Sequence, residues 1–514
     1  MRKVLLYICS VFILGGMTSC EDFLDKREDV GLTEDDIFRD YYSLRGFLDQ
    51  SFNQLENVMV MDNWENGRAF VGLFADEMAT TDNSSAVFTL HSGNWLSNAK
   101  SSTTFEIGNG GSTAISRSYK ALRINNRIIN DIDKAPLTPE QKNEILGQAY
   151  FYRSWFYFQI IKRYGGMPII DKVFEGGDDD IPRMTYHESH DWMMEDIQKA
   201  IYMLPDSWDD PNYGRPTKIA AMALKEWAQL FDASPLMQND LNSTENKGYD
   251  TERAKSAAKS AYEVIRYMDG SKSAPYPYGL ASKEEYTNVF YFKYPPVHQP
   301  EYIWVKRQFP NADNQNQKRT IRTFWQYEDL AFGSGPDGNS MCCPSLNIVN
   351  MFDKKGADGI YYPIDDPRSG YALDYAHKPF EDRDPRFYNN ILLPGTTWGH
   401  YADGRTYYIT TYKGGAAYQH MLTQKDCNKR MFTGFMCKKF MWPECNQYLE
   451  KNNPNCWWDY RFLTIYIRAS QIYLDYAEAL FEGCGSATAT IEGCPISAAE
   501  AINILRRRIG LTDL

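Results

Sequence analysis

Three kinds of side chain in this sequence could do chemistry: neighbouring imidazoles, paired carboxylates and a late run of cysteines. His187 and His190 with Glu188 could offer metal ligands, but Thr185 and Glu188 stand at capping-box spacing, so the segment reads first as a solvated helix start. Asp365-Asp366 and Glu381-Asp382 could serve glycoside hydrolysis if the fold held two carboxyls at a suitable separation, which chain spacing does not set. Asp178-Asp179-Asp180 could supply oxygens to calcium, and reads more simply as a solvated acidic loop. No phosphate-binding glycine loop, zincin motif or nucleophile elbow occurs. Nothing here selects a reaction or requires a cofactor, with calcium the one ion left open.

Cysteines are unevenly placed: Cys9, Cys20, and eight beyond residue 340. Cys427, Cys437, Cys445, Cys456, Cys484 and Cys494 could close local loops in neighbouring pairs or stay as buried thiols, and their spacings match no zinc pattern. Cys20 stands apart, in "GGMTSCEDFLDKRED". Arg2 and Lys3, then an apolar run from Val4 to Leu14, then small residues describe a removable export signal over residues 1–19, too short to span a bilayer. Cys20 would then open the mature chain and fits the lipidated cysteine of a bacterial lipoprotein, where several acyl chains anchor firmly. Loss of the signal removes two cations and no acid, taking the net charge from −12 to −14. That balance argues against nucleic acid and other polyanions. The 36 Tyr, 27 Phe and 12 Trp leave rings for recognition surfaces after a core is filled.

The elements that must position any site are mostly helical. Thr138-Pro139-Glu140-Gln141 offers a cap, a proline at the first helical position and a reciprocal Gln. Ile145, Ala149, Tyr152, Phe156 and Ile160 then share one face until Gly165-Gly166. Ile115, Tyr119, Leu122, Ile129 and Ile132 form the facing stripe before a turn at Ala135-Pro136. Thr185 with Glu188 opens a helix carrying Met193, Ile197, Ile201 and Leu204; Ala220, Leu224, Trp227 and Phe231 mark the next. Ala254, Ala257, Ala261, Val264 and Met268 mark another, followed later by "RASQIYLDYAEALFEG" and Ser497 to Ile509. Helices that cannot bury a face alone predict a mostly α, tetratricopeptide-like stack of helical pairs. The scaffold is expected over about 33–58, 112–269 and 464–509, within one domain running from 20 to 514. Residues 59–111 and 270–463, rich in Asn, Gly, Pro and aromatics, read as loop-rich regions that carry the site.

Seven motifs in order, "SCEDFLD", "RINNRIINDID", "LGQAYFYRSWFYFQIIKRYGGMPII", "GRPTKIAAMALKEWAQLFDASP", "DPRF", "YLDYAEALFEG" and "INILRRRIGL", resemble those of the SusD/RagB outer-membrane lipoproteins. The resemblance spans Ser19 to Leu511. It implies a non-catalytic, lipid-anchored protein on the outer face of the outer membrane that captures nutrients, with a SusC-like TonB-dependent transporter as partner. It also implies a role for Glu21 and Asp22 as a surface-export address. Family members usually continue past "INILRRRIGL", so the chain reads as truncated, with Ile502, Leu505 and Ile509 exposed unless something covers them.

A sugar ring needs an aromatic platform and a few polar partners. Trp95 with Asp76, Asp82 and Asn94 is the leading cluster, and the resemblance places Asp76-Glu77 ahead of a ligand-facing loop. Tyr294, Trp304, Trp325, Trp398 and Tyr401 are the candidates of the second loop region, each with buried core as its plain alternative; Trp457-Trp458 reads as core. The expected ligand is an oligosaccharide or polysaccharide, with peptide capture as the runner-up, then a surface glycosidase or a purely structural surface protein.

Overall fold

A computed structural model describes residues 33–55, 75–79, 114–174, 180–239, 247–290, 298–307, 343–374, 378–400, 406–415, 418, 433–439 and 463–514. The long helices form where the sequence pattern places them. The first two are α1 (Glu34–Phe38) and α2 (Tyr41–Gln54), and α3 (Ala114–Asp131) precedes the turn at Ala135. Helix α4 (Pro139–Tyr164) opens on a reciprocal cap: the Gln141 amide donates to the Thr138 hydroxyl at 3.3 Å, and the Thr138 amide to Oε1 of Gln141 at 3.0 Å. Thr185 and Glu188 repeat that arrangement at α5 (Tyr186–Met203). Then come α6 (Lys218–Ala233), α7 (Thr251–Gly270), α8 (Ala469–Cys484) and α9 (Ala498–Arg508).

Each of these helices packs on the next, from α2 against α3 through to α8 against α9, which is the serial pairing of a tetratricopeptide-like stack. Small residues set the spacing: a Cβ on Gly483 of α8 would come within 3.1 Å of the Lys255 backbone of α7. Helix α4 departs from the one-faced expectation. Phe151, Trp155, Tyr157, Phe158 and Ile161 are buried along with the predicted stripe, so this helix is wrapped on all sides and forms the centre of the core.

Buried polar groups explain several quoted motifs. Arg153 of α4 forms a two-pronged pair with Asp196 of α5 at 2.5 and 2.8 Å and also donates to Asn126 at 3.0 Å. Asn126 in turn donates to the carbonyls of Ile170 and Lys172, fixing the chain after α4. Arg215 joins Asp49 of α2 and Gln148 of α4. In "DRDPRF", Arg383 is buried and donates to the carbonyls of Val349, Phe352 and Pro379, drawing a loop around one side chain.

The region between α7 and α8 carries short two-stranded antiparallel ribbons, one of which draws in a strand from between α2 and α3. They are β1 (Met78–Ala79) with β3 (Cys343–Pro344), β2 (Tyr302–Arg307) with β10 (Leu463–Arg468), and β4 (Lys354–Lys355) with β5 (Tyr361–Tyr362). The others are β6 (Ile391–Leu392) with β9 (Met436–Cys437), and β7 (Thr397–His400) with β8 (Thr406–Tyr408). The scaffold therefore resumes through a strand, β10, before helix α8 begins at Ala469. Leu505 and Ile509 are buried, contrary to the exposure expected of them, and Ile502 is half-buried. The residues after α9 fold back: Arg506 donates to the Thr512 carbonyl at 2.7 Å and pairs with Asp353 at 3.1 Å, while the Tyr361 amide reaches the Thr512 hydroxyl.

Candidate ligand-binding face

The two loop-rich regions meet at β1 and β3, where Met78 pairs with Pro344 and Ala79 with Cys343. Side chains strengthen this junction. The Ser345 hydroxyl donates to the Asp76 carbonyl, the Ser345 amide to the Glu77 carbonyl at 3.0 Å, and Nδ2 of Asn347 to Oδ2 of Asp76 at 3.0 Å. The Ser345 hydroxyl also caps the short helix Leu346–Asn350, so one residue ends the strand, starts the helix and holds the facing loop. Asp76 and Glu77 are exposed, and Leu346 and Met351 lie exposed on the adjoining helix. Polar and apolar side chains are thus offered to solvent on one rigid seam.

Behind the seam, β9 packs on β3, and Lys439 follows β9. Its ammonium lies 4.5 Å from the Phe290 ring centre, and the Arg468 guanidinium 5.0 Å from the same centre. Burial, with Arg468 adding to it, brings the Lys439 ammonium down to about 8. Lys306 on β2 is brought down to about 8 chiefly by burial, while donating to the Leu55 carbonyl at 2.9 Å. Lys439, close enough to Glu77 to feel its charge, thus places a cation behind the seam.

Of the predicted ligand residues, Asp76 sits at this junction and Trp398 falls within β7. Trp304 is corrected to core: it is 2% exposed, and its ring centre lies 4.8 Å from Phe151 and 4.6 Å from Trp155. Its indole N–H is satisfied by the Gly214 carbonyl at 3.2 Å, so the ring pins β2 onto α4. Trp95, Asp82, Asn94, Tyr294, Trp325, Tyr401 and Cys20 lie outside the described residues.

The other chemical candidates resolve into structure. His187 and His190 are not on a solvated face: Nδ1 of His187 lies 2.7 Å and Nδ1 of His190 3.6 Å from buried Asp232, which Arg253 also contacts. Asp366 is engaged by Arg368, which holds its carboxyl down to about 2, and Glu381 pairs with Lys378. Among the described residues, no group of three or more His, Cys, Asp or Glu is placed to hold a metal ion. Of the expected disulfide candidates, Cys484 and Cys494 are both free thiols.

A feature that the sequence pattern did not single out is a pocket between the α5–α6 connection and the segment after α7, lined by Trp208, Tyr213, Thr217, Tyr276 and His298. The available signal was the mixture of aromatics, prolines and acids in "SWDDPNYGRP" and "APYPYG", both of which lie outside the two regions of highest loop content or at their edge.

Two family models match the chain. The one described as "Starch-binding associating with outer membrane" covers residues 22–226, and the one described as "SusD family" covers residues 300–514. No curated protein matches. Among solved structures, a SusD-like protein from Bacteroides fragilis NCTC 9343 superposes with a TM-score of 0.66 at 22% identity, over 94% of this chain and 81% of its own. A SusD-like carbohydrate binding protein from the same strain gives 0.63 at 18% identity, over 93% and 80% of the two chains. A laminarin binding SusD-like protein gives 0.55 at 16%, over 92% and 84%. At these identities the likeness is one of fold.

Proposed function

The chain belongs to the SusD/RagB family, and from that premise we propose that it is a cell-surface lipoprotein that captures glycans and passes them to a TonB-dependent transporter in the outer membrane. The observation that carries the reading is the pair of family matches, one described as starch-binding and outer-membrane associating, laid over a fold in which both loop-rich regions join at the Asp76–Asn347 seam. The carbohydrate and laminarin binding of two structural neighbours supports the choice of ligand class.

Capture of this kind needs no bond to break and no cofactor. Aromatic rings outside the core would stack on the apolar face of a sugar, and seam groups such as Asp76 and Asn347 would meet its hydroxyls. Each stacking contact contributes about 0.5–1.5 kcal/mol beyond burial. A few of them hold a ligand reversibly, as a protein that must release its cargo requires. Acyl chains on Cys20 would fix the protein to the membrane, and Glu21 and Asp22 would direct it outward.

The test is a titration of the full chain, purified in detergent, with starch, laminarin, xylogluco-oligosaccharides and a peptide panel, beside Trp95→Ala and Asn347→Ala variants. A glycan should bind, both variants should weaken it, and no new reducing ends should appear on incubation. Binding of peptides alone, or release of reducing ends, would overturn the proposal.

A further inference from the structure

We infer that the pocket between the α5–α6 connection and the segment after α7 is a second carbohydrate site, shaped for one neutral sugar unit. The ligand class rests on the glycan-binding reading above; the place rests on the following geometry.

Trp208 is half-buried, and its indole N–H donates to the Pro216 carbonyl at 2.9 Å, which fixes the ring plane. Among the described residues no other ring packs on that indole, so it stands as a platform within the pocket lining. A second wall is built from His298, held between Tyr276, stacked at 3.6 Å and 23°, and Tyr213, edge-on at 4.6 Å and 80°. Oδ1 of Asp210 fixes this wall: it lies 2.9 Å from Nε2 of His298 and accepts from the Tyr276 hydroxyl at 3.3 Å. The Asp210 side chain remains 76% exposed, so its carboxylate is presented to solvent beside the rings.

Thr217, also in the lining, is buried, and its hydroxyl lies beside that of Tyr278, a further lining residue. The cavity volume is about 110 Å³, well below the roughly 300–1,000 Å³ of sites for drug-sized ligands. One ring is the scale of its occupant.

A sugar matches both halves of this arrangement: C–H groups for the indole face, hydroxyls for the Thr217 and Tyr278 hydroxyls and for Asp210. A proline or aromatic side chain of a peptide would use the rings and leave the polar groups unmet. The Asp210 carboxylate, held against the His298 and Tyr276 wall, disfavours an acidic sugar. Unlike the seam, this pocket lies on the helical scaffold, against the β2 strand that Trp304 fastens to α4.

The experiment presents glucose, galactose, mannose and xylose separately, at millimolar concentration, to the full chain in detergent, read by saturation-transfer NMR and tryptophan fluorescence. At least one should bind, and both Trp208→Ala and Asp210→Ala should weaken it several-fold to about tenfold. Asp210 is exposed, so its variant keeps the test valid should Trp208→Ala misfold, with circular dichroism as the check. Asn347→Ala should leave the monosaccharide response intact. If longer glycans bind and only Asn347→Ala weakens them, with no monosaccharide response, the pocket inference falls while glycan capture stands. If no glycan of any length binds, both fall. Binding of proline-rich peptides in place of sugars, lost in Trp208→Ala, overturns the pocket's assignment alone.

Discussion

Arg153 and Asp196 show what a single position does in this molecule. Both side chains are almost wholly buried; the two-pronged geometry uses two of the five guanidinium N–H groups, and Oδ1 of Asn126 accepts from a third. The Trp192 ring lies 5.2 Å from the same guanidinium. Removing one partner of such a pair leaves the other charge buried and uncompensated, at a cost of about 3–5 kcal/mol. Asp196→Ala should therefore lower the free energy of unfolding, read by denaturant titration, by that margin, while the glycan binding proposed above stays unchanged. A loss below about 1 kcal/mol would show the pair behaving like a surface one. Trp304 teaches the complementary lesson. Its neighbours Phe151 and Trp155 lie about 150 residues earlier in the chain, so no local pattern distinguishes it from an exposed platform. His187 and His190 misread for the same reason, because the carboxylate that gathers them, Asp232, arrives from the next helix.

At the scale of elements, the α6–α8 contact holds an unusual charge arrangement. Glu226 of α6 is fully buried, and its carboxyl group meets that of Asp475 of α8, the two sharing a side-chain hydrogen bond. Burial lifts the Asp475 carboxyl to about 7; burial, then the neighbouring Asp475, lifts Glu226 well above the usual carboxylate range. Both folded values lie above those of the unfolded chain, so folding takes up protons as pH rises above about 4. The contribution is fully present below the unfolded values and is lost as pH climbs through about 7. Melting temperature should fall between pH 5 and pH 8 in the wild type, and Glu226→Gln should flatten that slope and raise the melting temperature at pH 8. An unchanged slope in the variant would remove this pair as the cause. The helices themselves were legible because their signals are local: Thr138 with Gln141 and Thr185 with Glu188 act over three residues, and the predicted cap bonds form. The all-round burial of α4 was not, since it depends on how many partners surround a helix and not on its own stripe.

On the scale of the whole molecule, the question is what makes a helical stack and a loop-rich face behave as one body. Glu301 offers an answer. It is completely buried at the start of β2, and its two oxygens gather partners from distant parts of the chain. Oε1 accepts from Arg468 at 3.0 Å and from the Ser470 hydroxyl; Oε2 accepts from Arg508 at 2.8 Å and from the Ala281 amide at 3.0 Å. One carboxylate thus ties the last two scaffold helices to the segments on either side of the 291–297 stretch. The final motif "INILRRRIGL" supplies Arg508 to this knot, which connects that motif to the architecture. Glu301→Gln keeps the shape but removes the charge that balances two guanidiniums, each mostly buried. Loss of a charge-assisted bond network of this kind should cost about 3–5 kcal/mol. Hydrogen exchange gives the sharper readout: in the variant, amides of β2, β10 and α9 should all lose protection, while those of α5 keep theirs. Uniform loss across the chain would mean that the stack and the face unfold together and that Glu301 adds stability without coupling them. Selective loss would identify Glu301 as the joint that holds the loop-rich face to the scaffold.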